Sequence, residues 1–156
     1  MDVGLASRRK ATVSALFASY SSGAWDEANL RHLAPECVWE VMPRSVRCSR
    51  SRDEHRSFLA ETMKDFTDFS IVPSEMSCDG EVVHASCRSA ATHRIIGKYG
   101  QDYAFTLRFA PGSDTTIVHV REFVDSLYSA GIFGPGGKIE KMRAAAAAKE
   151  PPIAKL

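Results

Sequence analysis

Apolar residues near the start of the chain recur at helical spacing. Val13, Leu16, Phe17 and Tyr20 fall at i, i+3, i+4 and i+7, which predicts a helix over residues 11–20, ended by Ser21-Ser22-Gly23. Residues 25–33 read as a second short helix, with Trp25, Leu30 and Leu33 as its apolar contacts and Pro35 closing the pair. Residues 37–42 have the β-branched and aromatic content of a strand, and Pro43 stops its ladder. Ser51-Arg52-Asp53-Glu54 is a capping box, in which hydroxyl and carboxylate each satisfy an orphan backbone donor. Behind it Phe58, Leu59, Thr62, Met63 and Phe66 keep helical spacing.

From there the period shortens to two. Residues 69–76 read as extended, and Ser77-Cys78-Asp79-Gly80 as a hairpin turn. Long strands follow over 81–93, 99–109 and 115–127, separated by turns at Ile96-Gly97-Lys98 and Pro111-Gly112-Ser113-Asp114. Helices followed by a strand meander predict an α+β domain with helices packed on one face of a curved antiparallel sheet. Gly134-Pro135-Gly136-Gly137 then breaks the pattern, so the domain is expected over 1–133. Residues 134–156 form a flexible or helical tail, with a short helix over 138–149.

Composition narrows the class. A chain of 156 residues suits one domain, and 44% hydrophobic with 25% charged residues is ordinary globular usage. Twenty Lys+Arg against 19 Asp+Glu leave a net charge of +1, which argues against a nucleic-acid binder. No apolar run approaches the ~20 residues of a membrane span, and residues 1–10 lack the apolar stretch of a secretory signal. Cys37, Cys48, Cys78 and Cys87 form no Cys-x-x-Cys pair and read as reduced thiols. His32, His55, His84, His93 and His119 make no metal-binding spacing, so no metal is expected.

Strand parity nominates a pocket. On the last strand Val118, Val120, Glu122 and Val124 share a face, leaving Glu122 the one carboxylate in a valine stripe. Burial there raises its proton affinity into a range useful for proton transfer. The alternative is that Glu122 is salt-bridged or sits at the strand's exposed end. On the preceding strand Tyr99, Tyr103, Phe105, Leu107 and Phe109 share a face, although Gly100 is positioned to bulge the strand between the two tyrosines. A phenol in an apolar cavity donates well to a developing oxyanion; the alternative is an ordinary core tyrosine. Arg44 follows the rigid Pro43, whereas Arg47, Arg50, Arg52 and Arg56 read as a solvated loop and helix start. His93 lies on the small-residue face of its strand with Val83, Ala85, Cys87, Ser89 and Ala91, where a ligand has room. Trp39, Phe58 and Phe105 complete the candidate apolar wall.

The run Tyr20-Ser21-Ser22-Gly23-Ala24-Trp25, then Cys37-Val38-Trp39-Glu40, then Val120-Arg121-Glu122-Phe123-Val124-Asp125-Ser126 resembles the SnoaL-like polyketide cyclases and isomerases of the NTF2-like superfamily. Met42-Pro43-Arg44-Ser45 is most similar to small fungal members of natural-product biosynthesis. The resemblance covers roughly residues 11–133. It implies a sheet wrapped by three helices around a deep apolar pocket, a homodimer through the sheet's outer face, and acid/base catalysis without a cofactor. The matching catalytic candidates are Arg44, Tyr99, Tyr103 and Glu122, with Trp39, Phe58, His93 and Phe105 binding substrate. The expected reaction is a semipinacol-type or epoxide-opening rearrangement of a hydrophobic oxygenated metabolite. A non-catalytic carrier or scaffold, or a dehydratase dependent on His93, are the alternatives. A cytoplasmic protein is expected, with Ala154-Lys155-Leu156 as a candidate peroxisomal address.

Overall fold

The computed structural model describes residues 3–22 and 29–148. Residues 25–28 of the helix expected over 25–33, and the tripeptide Ala154-Lys155-Leu156, lie outside the described residues. Of the former, residues 29 and 30 are helical and a strand already begins at Leu33.

Helix α1 runs Val3–Ser21, eight residues longer at its start than the helix expected over 11–20. Val13, Leu16 and Phe17 are sealed in the core, each contributing about 1.5–3 kcal/mol of burial. The extra turns are anchored instead by polar groups. Buried Arg9 donates to the carbonyls of Ser113 at 2.8 Å and Gly80 at 2.6 Å, and its guanidinium sits 5.6 Å from the Phe109 ring centroid. Thr12 donates to the Asp114 carbonyl at 2.6 Å, and Arg8 pairs with the Asp114 carboxylate at 2.5 Å. One end of α1 is thereby fixed to two turns of the sheet.

The strands are β1 (Leu33–Met42), β2 (Cys48–Ser51), β3 (Phe66–Asp79), β4 (Val82–His93), β5 (Gly97–Tyr99), β6 (Asp102–Phe109) and β7 (Ile117–Val124). They form one sheet in the order β2-β1-β7-β6-β4-β3, with β5 paired to β4. The sheet is antiparallel as expected except between β1 and β7, which run parallel. Local periodicity carries no information on that pairing, because 74 residues lie between the end of β1 and the start of β7. The sheet curls into a half-barrel. Helix α1 lies across β3 and β4, and α2 (Arg52–Thr62) lies against β1 and β2. The predicted capping box is formed: Ser51 Oγ accepts from the Glu54 amide at 3.3 Å, and Glu54 Oε2 accepts from the Ser51 amide at 2.7 Å.

Three readings shift. The β3–β4 hairpin turns at Gly80 and Glu81, with Gly80 at φ +53°, a backbone that side chains with a Cβ rarely adopt. The strand expected over 99–109 is broken at Gly100 and Gln101, where a Cβ on Gly100 would lie 2.8 Å from the Ser89 carbonyl oxygen. The strand expected over 115–127 ends at Val124, because Asp125 caps a further helix, α3 (Ser126–Phe133), by accepting from the Tyr128 amide at 3.0 Å. Helix α4 (Lys138–Ala147) follows within the expected tail, and its Ile139 packs against the domain's second apolar cluster.

Gly100→Ala should force backbone apart where β5 and β6 approach Ser89. A loss of about 1–3 kcal/mol in urea-unfolding stability is expected, and a variant as stable as wild type would contradict the close approach.

Candidate active site

The parallel β1–β7 pair sets Trp39 beside Val120 and Val41 beside Glu122. Trp39 is buried, and its indole Nε1–H donates to Glu122 Oε2 at 2.7 Å. Glu122 is half-buried as a residue, and protein surrounds its carboxylate. Desolvation raises its proton affinity above the ordinary carboxylate value, partly offset by the Trp39 hydrogen bond and the nearby charge of Arg50. The salt-bridge alternative for Glu122 does not hold among the described residues.

Phe105 is the cross-strand partner of Glu122 on β6, and its ring stands edge-on to Trp39 at 6.3 Å and stacks on Tyr103 at 5.4 Å. The hydroxyls of Tyr103 and Tyr99 lie 3.3 Å apart, and Tyr103 is also 3.3 Å from Ser89 Oγ. The break at Gly100 therefore does not part the two tyrosines. Tyr20, from α1, is the third buried phenol. Burial, followed by the Glu122 charge, raises Tyr20 and Tyr103; for Tyr99 burial leads, then Tyr103, with Glu122 contributing less. Three phenols thus stay protonated within electrostatic reach of one carboxylate.

The arginines separate by direction. Arg44 is exposed on the one-turn helix Arg44–Val46 that follows the cis Met42–Pro43 bond, and among the described residues its guanidinium makes no hydrogen bond or ion pair. Arg47 pairs at 2.7 Å with Glu40 on the sheet's outer face, where Arg121 and His119 also approach that carboxylate at 3.4 Å. Arg52 donates to the Leu30 carbonyl at 3.2 Å. Arg50 faces inward: it is the β2 partner of Trp39, sits 3.8 Å over the Phe58 ring, and acts electrostatically on Glu122. The cation at the cluster is Arg50, and Arg44 is not brought to it by any contact among the described residues. Four residues of strand flanked by other arginines gave no pattern that would single Arg50 out.

Trp39 carries a second neighbour that sequence reasoning missed. His55, from α2, stacks on the indole at 3.9 Å and 11°. It is buried, and neither ring nitrogen has a hydrogen-bond partner. Desolvation, with the Arg50 charge second, lowers its pKa to about 3, so it is neutral. Its only sequence signal was its place on the helical face shared with Leu59 and Thr62. Phe58 lies on the outer side of this stack, 39% exposed.

His93 lies elsewhere, in a second apolar cluster built on Tyr99, Ile96 and Ile132, with Phe66 and Phe69 packed against it. Tyr99 spans the two regions, touching Phe66 at 5.0 Å and Phe133 at 6.0 Å while its hydroxyl meets Tyr103. Among the described residues no group of three His, Cys, Asp or Glu gathers to hold a metal, and no helix is long and apolar enough to cross a membrane. The thiols of Cys37 and Cys87 are pushed up by burial to about 11 and about 12, so both stay protonated.

No protein-family model and no curated protein matches the chain. Solved structures do match its fold. BvnE pinacolase from Penicillium brevicompactum superposes with TM-score 0.78 at 20% identity, covering 93% of this chain and 97% of that one. PrhC from Penicillium brasilianum gives 0.77 at 16%, covering 94% of each. An NTF2-like protein of unknown function from Burkholderia pseudomallei gives 0.65 at 16%, covering 79% and 95%. The fold is the one these structures share, the cone described for the Burkholderia protein as NTF2-like.

A neutral buried histidine opposes acid. The unfolded chain takes up a proton near 6.5 that folded His55 refuses until about 3, so stability falls as pH drops through that window. Between pH 7 and 5 the loss at this residue is about 2 kcal/mol. His55→Phe keeps the stack and removes the titration, so its urea midpoint should change less over that interval than wild type's. Equal changes in the two proteins would mean that His55 is protonated in the folded state.

Proposed function

We propose that the protein is an acid/base isomerase or cyclase that rearranges a hydrophobic, oxygenated metabolite without a redox step. The observation that carries this reading is a carboxylate of raised proton affinity, held by one indole N–H inside an aromatic wall, with protonated phenols around it. Glu122 takes a proton from a substrate hydroxyl as the adjacent carbon–carbon bond migrates, and returns it to the oxygen released. Tyr103, backed by Tyr99 and Ser89, donates to the carbonyl, epoxide or alkoxide oxygen that gains negative charge. Arg50 supplies the positive charge that the reading from sequence gave to Arg44. Trp39 and Phe105 form the wall, and Phe58 its outer side.

A proton shuttle with a fixed donor suits a pinacol-type 1,2-shift, because migration needs deprotonation at one oxygen and stabilisation of charge at another. A pinacolase among the solved structures of this fold supports that choice, at the level of fold. The expected homodimer draws support from Val38, Val72 and Phe123, apolar side chains exposed on the outer face of the sheet.

The test is genetic and chemical together. A strain lacking the gene is complemented with wild type, Glu122→Gln or Tyr103→Phe, and metabolites are compared by mass spectrometry. The precursor should accumulate in the deletion and be cleared by wild type alone. With the accumulated precursor and purified protein, Glu122→Gln should be about 10²–10⁴ slower and Tyr103→Phe about 10²–10³ slower. Full activity of Glu122→Gln would remove the carboxylate from the mechanism. Identical profiles in all strains would leave a carrier or scaffold.

A further inference from the structure

A cavity of about 630 Å³ opens beside the second aromatic cluster, between the end of α2, the end of β4 and the α3–α4 pair. That volume suits a small organic ligand. Glu122 does not line it. Its deepest polar residue is His93, 2% exposed at the end of β4, set edge-to-face against Phe66 at 4.8 Å and against Phe133 at 6.4 Å.

The backbone fixes the tautomer of this histidine. Its Nδ1 accepts from the amides of Ile95 at 3.1 Å and Ile96 at 3.4 Å. A nitrogen that accepts cannot carry the proton, so in the neutral ring the hydrogen is on Nε2. Nε2 has no partner among the described residues and, unlike the nitrogens of His55, is not sealed from the cavity. A nearly buried side chain thus presents one unspent donor to an aromatic-walled space.

The charged groups at the rim are already engaged. Asp65 pairs with Arg94 and lies 3.8 Å from Arg143, Glu61 pairs with Lys64, and Glu140 accepts from the Gly136 amide at 2.7 Å. Three carboxylates against the single arginine lining the cavity disfavour an anion. What remains is a neutral N–H donor between Phe66 and Phe133, with Thr62 and Ile139 beside them.

We propose that this cavity is a binding compartment for a neutral, largely apolar molecule, held by its carbonyl oxygen on His93 Nε2–H. Burial, the largest influence, lowers the proton affinity of His93. Asp65 opposes that shift while Arg94 and Arg143 add to it, and the balance favours the neutral donor. The compartment stands independently of the proton transfer assigned to Glu122.

A matched pair of probes tests it: 6-fluoro-1-tetralone and 6-fluorotetralin, which share a skeleton and differ in the carbonyl. Titration of the full chain by fluorine NMR should give about tenfold tighter binding of the ketone, one hydrogen bond's worth. In histidine-¹⁵N-labelled protein the His93 Nε2–H resonance should move with the ketone alone. His93→Phe should bind the ketone no better than the hydrocarbon, His93→Gln should keep part of the preference, and Glu122→Gln should keep all of it. Equal binding of the two probes by wild type, or binding of neither, would overturn the proposal. So would a preference that survives in His93→Phe or disappears in Glu122→Gln. Should His93→Phe not fold, the wild-type titration and the Gln variant decide. Turnover lost in Glu122→Gln with the ketone preference intact separates this compartment from the acid/base site.

Discussion

One hydrogen bond organises the interior: the Trp39 indole N–H on the Glu122 carboxylate, made across the parallel junction of β1 and β7. A carboxylate offers about four acceptor positions, and the indole fills one. Among the described residues no other side chain hydrogen-bonds it. Glu122 is therefore held in place without being neutralised, and its proton affinity stays raised. A direct guanidinium pair would have fixed the same geometry while lowering that affinity. The Trp39 ring must in turn be immobile for the bond to persist, which the His55 stack on its face and the Phe105 edge provide.

The rest of the fold holds this junction at a fixed distance from the phenols. Arg9 and Thr12 tie α1 to the turns at Gly80 and at Ser113–Asp114, so Tyr20 at the far end of the helix meets the sheet in one register. Gly100 lets β5 leave β4 close to the Ser89 carbonyl, and the chain returns in β6 with Tyr103 beside Tyr99. Tyr99 then acts as a shared wall. Its hydroxyl belongs to the Glu122 side, and its ring to the aromatic cluster around His93. Two chemically different side-chain clusters thereby share one residue.

Strand parity made much of this legible. The inward faces read from β4 and β6 match the buried positions from Val83 to His93 and from Tyr103 to Phe109. Glu122 and Tyr103 were nominated by the same alternation, since a lone polar group in an apolar stripe is a local signal. The parallel β1–β7 contact, the inward turn of Arg50 and the stack of His55 on Trp39 were not legible. Each depends on which distant strand or helix arrives opposite, and that is decided by packing rather than by spacing. Asp125 was hidden for a different reason: an N-cap that directly follows a strand reads as one more alternating position. The Arg44 nomination leaned on the rigidity of Pro43, which fixes where the chain goes but not which way the next side chain points.

Charge is distributed across the sheet in a way that bears on what the interior can accept. The ion pairs lie outside: Glu40 with Arg47 and Arg121, Arg88 with Asp102, Arg8 with Asp114. Inside, phenols keep their protons and His55 stays neutral, while burial draws Glu122 toward its neutral form. Arg50 supplies the positive charge acting on Glu122, and it is spread over the Phe58 ring. A full charge brought by a ligand would lose its hydration and find few partners to replace it, at a cost of several kcal/mol. Neutral oxygens fare better, because each hydroxyl or carbonyl meets a protonated donor already held in position. Buried groups with unused hydrogen-bonding capacity are a stability cost that folding alone does not explain. Among the described residues the two ring nitrogens of His55 are such groups, held against the face of the Trp39 indole.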